Sequence, residues 1–131
     1  MVLYDAQNKT YTLHTKNTTY QMTVWDYRVL LHVYYGPRLE GEDLSYLLRC
    51  KDRGFSPNPN EAGRNRTFSL DTFPQEYSTC GVGDFRLPSI ELELPNGSRT
   101  ADLRYVSGTI RQGKYSLEGL PAFYGNEDEW E

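Results

Sequence analysis

Two stretches of period-two alternation, separated by a long aperiodic one, constrain this chain more than any other feature. Tyr11, Leu13 and Thr15 alternate with Thr12 and His14. After a turn at Lys16-Asn17, Tyr20, Met22 and Val24 alternate again. Side chains of a strand point to opposite faces in turn, so this pattern predicts a meander of strands. Trp25-Asp26-Tyr27-Arg28 reads as the next turn. Val29 to Tyr35, apolar at nearly every position, reads as a strand covered on both faces and stopped at Gly36-Pro37. Alternation returns at Ile90, Leu92 and Leu94, turns at Pro95-Asn96-Gly97, and runs back from Ala101 to Ile110. Gln112-Gly113-Lys114 is a further turn, and Leu117 to Tyr124 a last extended segment. The acidic Glu127–Glu131 end, with Trp130, reads as the start of one more strand.

Only one segment carries helical spacing: Leu44, Leu47 and Leu48, with Asp43 placed to cap a short helix through Arg49. From Lys51 to about Pro88 periodicity fades. That stretch holds Pro57, Pro59, Pro74 and Pro88, four of the seven prolines, along with Gly54, Gly63, Gly81 and Gly83. An irregular segment this long inside one domain is functional or contact-making as a rule. The expected fold is therefore all-β: seven or eight strands in a sandwich of antiparallel sheets, at most one short helix, and a long irregular middle loop region. With 131 residues, a single domain over 1–131 is expected, large enough to bury a core without disulfides.

Charge and composition exclude several function classes. The net charge is −4 and the fourteen Lys and Arg form no basic run, so nucleic-acid binding is not expected. No run approaches the roughly 20 apolar residues of a membrane span. The N-terminus lacks the basic and apolar regions of a signal peptide. Cys50 and Cys80 are accordingly expected as free thiols in the cytoplasm, with an extracellular bridge as the alternative. The sequons at Asn8, Asn17, Asn65 and Asn96 then read as turn chemistry.

Catalytic motifs are missing. Glu91 and Glu93 share one strand face opposite Ile90 and Leu92, the pattern of a solvated face rather than of a carboxylate pair flanking a bond. His14 and His32 lie on different strands without ligands at metal spacing, so no metal is expected. His14 reads as exposed and His32 as core or interface. No nucleophile elbow occurs, and Gly81-Val82-Gly83 is no dinucleotide loop, so no cofactor is expected. What remains is the irregular middle: Lys51–Pro59, Arg66–Asp71, Pro74–Tyr77 and Gly83–Pro88. Asp, Arg, Asn and rings recur there on proline-stiffened backbone. Such sets bind sugars, because planar polar groups pair with hydroxyls and rings cover C–H faces. On composition alone, however, a structural loop tied down by Asp–Arg pairs is the favoured reading.

These segments resemble the N-terminal domain of glycoside hydrolase family 36, the bacterial α-galactosidases. The resemblance rests on the order and spacing of several pieces. They are Thr19–Met22, Leu31–Gly36, Phe55-Ser56-Pro57-Asn58-Pro59, Ser69–Thr72, Gln75-Glu76-Tyr77, Gly83-Asp84-Phe85-Arg86, Asn96–Ser98, Asp102–Tyr105 and Gly119–Ala122. It implies a β-supersandwich packed on a (β/α)8 catalytic barrel, and retaining hydrolysis of α-1,6-galactosides of the melibiose and raffinose type. It places the two catalytic aspartates in the barrel, so no catalytic residue is expected in this chain and the chain alone is expected to be inactive. It also implies a tetramer in which this domain reaches a neighbouring subunit's active site. The residues matching the reaching positions are Asp52 and Arg66. The sequence departs from the family pattern at Glu61–Asn65, an extra stretch, and at Ser78-Thr79-Cys80, where a proline is expected. The alternative reading is a free-standing carbohydrate- or protein-binding module without catalysis.

Overall fold

The computed structural model describes residues 1–41, 43–49, 51–52, 54, 58–113 and 117–121. Cys50, Phe55-Ser56-Pro57, Lys114, Ala122–Tyr124 and Trp130 lie outside them. The expected meander forms a four-stranded antiparallel sheet in the order β1 (Val2–Asp5), β2 (Thr10–His14), β3 (Thr18–Val24), β4 (Leu30–Pro37). Its turns follow local chemistry. The Asp5 carboxylate accepts the backbone N–H groups of Gln7 and Asn8 and the Asn8 side-chain amide, and these bonds, chiefly that of the Asn8 backbone, hold its pKa below the usual value. Thr15 and Thr18 close the second turn, backbone to backbone at 3.0 Å and hydroxyl to hydroxyl at 2.6 Å. A single 3₁₀ turn, Asp26–Arg28, makes the third.

The register sorts side chains onto two faces. Val2, Leu13, Tyr20 and Tyr35 line up across the strands, as do Tyr4, Tyr11, Met22 and His32. This aromatic face is only partly covered: Tyr35 is 68% exposed, and a groove of about 650 Å³ separates part of the face from residues 105–110. The opposite face carries Thr10, Thr19, Gln21 and Thr23, all at most 2% exposed. Leu39, Asp43 and Leu44 lie over it and satisfy its polar groups. Thr19 Oγ1 donates to the Leu39 carbonyl and accepts the Leu39 N–H, and Gln21 Oε1 accepts the Leu44 N–H at 2.8 Å. Burial of hydroxyls and amides is tolerated because each finds a partner.

His14 is consequently the reverse of expectation, and His32 lies outside the core. His14 sits on the polar face, buried, while His32 sits on the open one, its side chain 36% exposed. Period two told which residues share a face but not which face the rest of the chain covers. β4 differs for the same reason: Leu31 is fully buried, but its neighbours on the open face are not, so the strand is not covered on both sides.

The core joins the sheet to the irregular segment. Val29 and Leu31 pack with Ala62, Phe68, Leu70 and Phe73, with Trp25, Tyr27, Leu48 and Val82 around them. Phe68 and Phe73 meet edge to face at 5.1 Å between ring centres. The Asp43 segment makes one 3₁₀ turn, Ser45–Leu47, rather than a helix, because Asp43 bonds Ser45 directly through its backbone N–H and hydroxyl. Another such turn, Asn60–Ala62, lies in the irregular middle.

The described residues hold four ladder-paired strands rather than seven or eight. Ile90–Leu94 and Ala101–Ile110 carry no regular element and join no ladder among the described residues. Scattered hydrogen bonds fix them, among them Ser89 and Ile90 N–H to the Ser78 carbonyl, Ala101 N–H to that of Cys80, and Tyr105 N–H to that of Arg28. The turn between them forms as read, with Gly97 at φ 78° and the Leu94 N–H on the Ser98 carbonyl. No helix among the described residues is long and apolar enough to cross a membrane.

Candidate functional site

Asp52 and Arg66, the two residues the resemblance singles out, lie side by side. Arg66 Nη2 lies 2.8 Å from Asp52 Oδ1, with both side chains more than half exposed at 62% and 63%. Asp52 Oδ2 accepts no hydrogen bond among the described residues. The backbone carrying Arg66 is fixed by its neighbour Asn65. The Asn65 N–H donates to the Ala62 carbonyl at 2.9 Å, and the Asn65 side-chain oxygen accepts the Thr67 N–H and hydroxyl at 3.0 and 2.6 Å. The Asn65 carbonyl accepts the Asn58 amide at 2.6 Å and the Phe68 N–H at 3.3 Å. Two residues on, Phe68 is 1% exposed in the core. An exposed guanidinium thus projects from a knotted, core-anchored turn. Gly54 passes beneath it, and a side chain there would begin 3.8 Å from Nη2.

Beside this turn, Asn58 Oδ1 is buried without a hydrogen-bond partner. An unmet acceptor of this kind costs about 1–3 kcal/mol. Asn58 lines a cleft of about 440 Å³ whose walls also carry Asn60, Glu61, Asp102 and Arg104. The Arg104 guanidinium holds Asp102 in a two-pronged pair, at 2.6 and 3.1 Å, and donates to the Tyr27 carbonyl at 3.0 Å. Amides, carboxylates and a guanidinium, groups able to pair with hydroxyls, line this cleft.

Two arrangements were not legible in the sequence. Asp84, its side chain 1% exposed, takes a forked pair from Arg86, whose Nη2 also donates to the carbonyls of Leu70 and Phe73 at 2.9 and 2.7 Å. Burial alone would raise the Asp84 pKa; the Arg86 hydrogen bonds and charge outweigh it and hold the carboxyl below its usual value. Gln75 adds its amide to the Leu70 carbonyl and to Asp84. Elsewhere, Tyr20 donates to Glu76 Oε1 at 2.5 Å, and His32 Nδ1 lies 3.5 Å from the same oxygen. Burial first, and then the Glu76 carboxylate, push the Tyr20 phenol well above its usual range. The segments Gln75–Tyr77 and Gly83–Arg86 stood out in the sequence by residue type, but several of their partners are distant: Phe73 and Leu70 lie 13 and 16 residues from Arg86, and Tyr20 lies 56 from Glu76. Glu91 and Glu93 are exposed, and Glu93 pairs with Arg99 at 3.0 Å, so they form a solvated face as read. Among the described residues, no three of His, Cys, Asp and Glu converge on a point that could hold a metal.

The described residues form an antiparallel sheet joined to an irregular segment, beside which an exposed Asp–Arg pair is presented. Comparison with known proteins makes this specific. The glycosyl hydrolase family 36 N-terminal domain matches residues 28–131, and the chain belongs to that family. It is 46% identical over 128 residues to a bifunctional α-galactosidase/sucrose kinase of Mediterraneibacter gnavus, covering 98% of this chain and 14% of that protein. The structure of the galactosidase domain of an α-galactosidase–sucrose kinase superposes with a TM-score of 0.89 at 46% identity, over 97% of this chain and 18% of the other. A variant of α-galactosidase AgaA from Geobacillus stearothermophilus, solved with raffinose, superposes with a TM-score of 0.78 at 41% identity, over 90% of this chain and 16% of the other. The chain therefore spans under a fifth of the length of these relatives, and its own sandwich class agrees with theirs.

Proposed function

We propose that this chain serves as the non-catalytic N-terminal domain of a cytoplasmic, retaining α-galactosidase acting on α-1,6-galactosides. In this reading it packs against the enzyme's catalytic barrel, contributes to a tetramer, and borders a neighbouring subunit's substrate site with Asp52 and Arg66. The observation that carries it is the 2.8 Å Asp52–Arg66 pair, exposed on a knotted turn. As a stabilising contact an exposed pair is worth only about 0–1 kcal/mol. As a recognition element it is well suited: the guanidinium orients the carboxylate, and Oδ2 accepts from no donor among the described residues. Little entropy is lost on binding, since the turn is already ordered. Relatives of this chain are α-galactosidases, and one has been seen with raffinose, which supports an oligosaccharide as the ligand.

The test is Asp52→Ala and Arg66→Ala in the whole enzyme, assayed with raffinose and with a small aryl α-galactoside. Losing a substrate hydrogen bond should lower kcat/KM by about 1–3 kcal/mol for the oligosaccharide, which alone extends past the galactose pocket. The aryl substrate should be spared. Near-wild-type efficiency on both substrates, with the tetramer intact by light scattering, would end the proposal.

A further inference from the structure

Residues 63–75 present Arg66, yet no ladder holds them. Their backbone bonds are local turns, Asn65 N–H to Ala62, Phe68 N–H to Asn65, Thr72 N–H to Ser69, Gln75 N–H to Phe73, plus one isolated bridge from Gln75 to Leu31. Local turns fix a shape but not its position on the rest of the molecule. Apolar anchors at Phe68, Leu70 and Phe73 set depth, since apolar contact is non-directional. Directional bonds to the segment come from the Asn58 amide on the Asn65 carbonyl, from Asp52 on Arg66 itself, and, further along, from one lattice. Arg86 reaches the carbonyls of Leu70 and Phe73, Gln75 Nε2 reaches Leu70 O at 3.0 Å, and both converge on Asp84 Oδ2, at 2.7 and 2.9 Å.

We infer that Asp84 and Arg86, with Gln75, are positioning residues: they fix the register of the Arg66-bearing segment and so set the reach of Arg66 toward substrate without touching substrate. The inference rests on the rim reading above. The path is short and continuous. The Leu70 carbonyl is clamped; Phe68, two residues back, is locked in the core; its N–H holds the Asn65 carbonyl; Arg66 follows Asn65. The donor must be a planar fork. Arg86 uses Nε on Asp84 Oδ1 at 2.9 Å while Nη2 serves the other carboxylate oxygen and two carbonyls. Lysine, a point charge, can keep the attraction to Asp84 but not that spread of directions.

A merely structural role and a positioning role separate by substrate and by coupling. In the whole enzyme, Arg86→Lys should reduce kcat/KM for raffinose about 5- to 20-fold, chiefly through KM, and leave the aryl α-galactoside within about twofold. Combined with Arg66→Ala, it should add nothing to the loss that Arg66→Ala alone causes, because both act on one contact. Should Arg86→Lys not fold, Gln75→Met removes two of the clamp's bonds while leaving the Asp84–Arg86 pair, and it should show the same selective, non-additive pattern. Equal losses on both substrates, or a raffinose loss that adds to that of Arg66→Ala, would overturn the inference while leaving the rim reading standing. An Arg66→Ala enzyme with wild-type raffinose kinetics would remove the rim reading, and this inference with it, whatever Arg86→Lys does.

Discussion

His14 shows how one residue's environment becomes a property of the fold. Its Nδ1 lies 2.9 Å from Thr19 Oγ1 on the covered polar face. Burial, then the Arg38 guanidinium, then the N-terminal ammonium push its pKa below the ordinary value, against a smaller pull from Glu40. The unfolded chain, near the ordinary histidine value of about 6.5, binds the proton more readily than the folded one. Stability therefore rises with pH through that window: it is fully present above about 6.5 and lost as pH falls through it toward the lower folded value. The melting midpoint should drop between pH 7 and pH 5, and His14→Gln should flatten that drop. An unchanged slope in the variant would show that other groups carry it. That His14 is the buried histidine could not be read from alternation, which assigned it to a face but could not say that Leu39, Asp43 and Leu44 would cover that face.

At the scale of an element, the turn between β3 and β4 is the most strained stretch described. Tyr27 and Arg28 have φ of 56° and 62°, a left-handed conformation that costs a side-chain-bearing residue about 1–2 kcal/mol. Contacts from distant residues hold it. The Tyr105 N–H donates to the Arg28 carbonyl at 2.8 Å, Arg104 donates to that of Tyr27, and the Tyr27 ring meets Phe68 edge to face at 4.8 Å. Arg28 itself is exposed, so its side chain can be removed without a cavity. Arg28→Gly relieves strain but adds about 0.4–1 kcal/mol of unfolded-state freedom. It should leave stability unchanged or raise it by up to about 1 kcal/mol, whereas Arg28→Val should cost about 1–2 kcal/mol. Urea denaturation of the two variants checks the order; a glycine variant less stable than the valine one would refute the strain argument. The sequence marked a turn here, but nothing in Trp25-Asp26-Tyr27-Arg28 announces positive φ, because the compensating groups lie about 77 residues later, at Arg104 and Tyr105.

For the whole molecule, the question is what binds a regular sheet to an irregular segment of comparable size. The answer is one apolar cluster with Phe68 at its centre, touching Tyr27 on one side and Phe73 on the other. Phe68→Ala should cost about 3–5 kcal/mol, a large share of the roughly 5–15 kcal/mol by which a domain is stable. Its urea midpoint should fall sharply for sheet and loop probes together. A loss confined to the loop probes would mean that the sheet stands without this core.

The all-β class, the meander and its turns, the irregular middle and the pieces that place the chain in family 36 were set by the sequence itself, because alternation, turn residues and motif spacing are local properties. The tertiary structure decided what depends on distance in the chain: which sheet face is buried, which histidine is protected, and how Leu70 and Phe73 come under the hand of Arg86. The segments Ile90–Leu94 and Ala101–Ile110 make the same point. They alternate as strands do, but a ladder requires a partner's backbone alongside, and alternation in one segment carries no information about whether that partner is there.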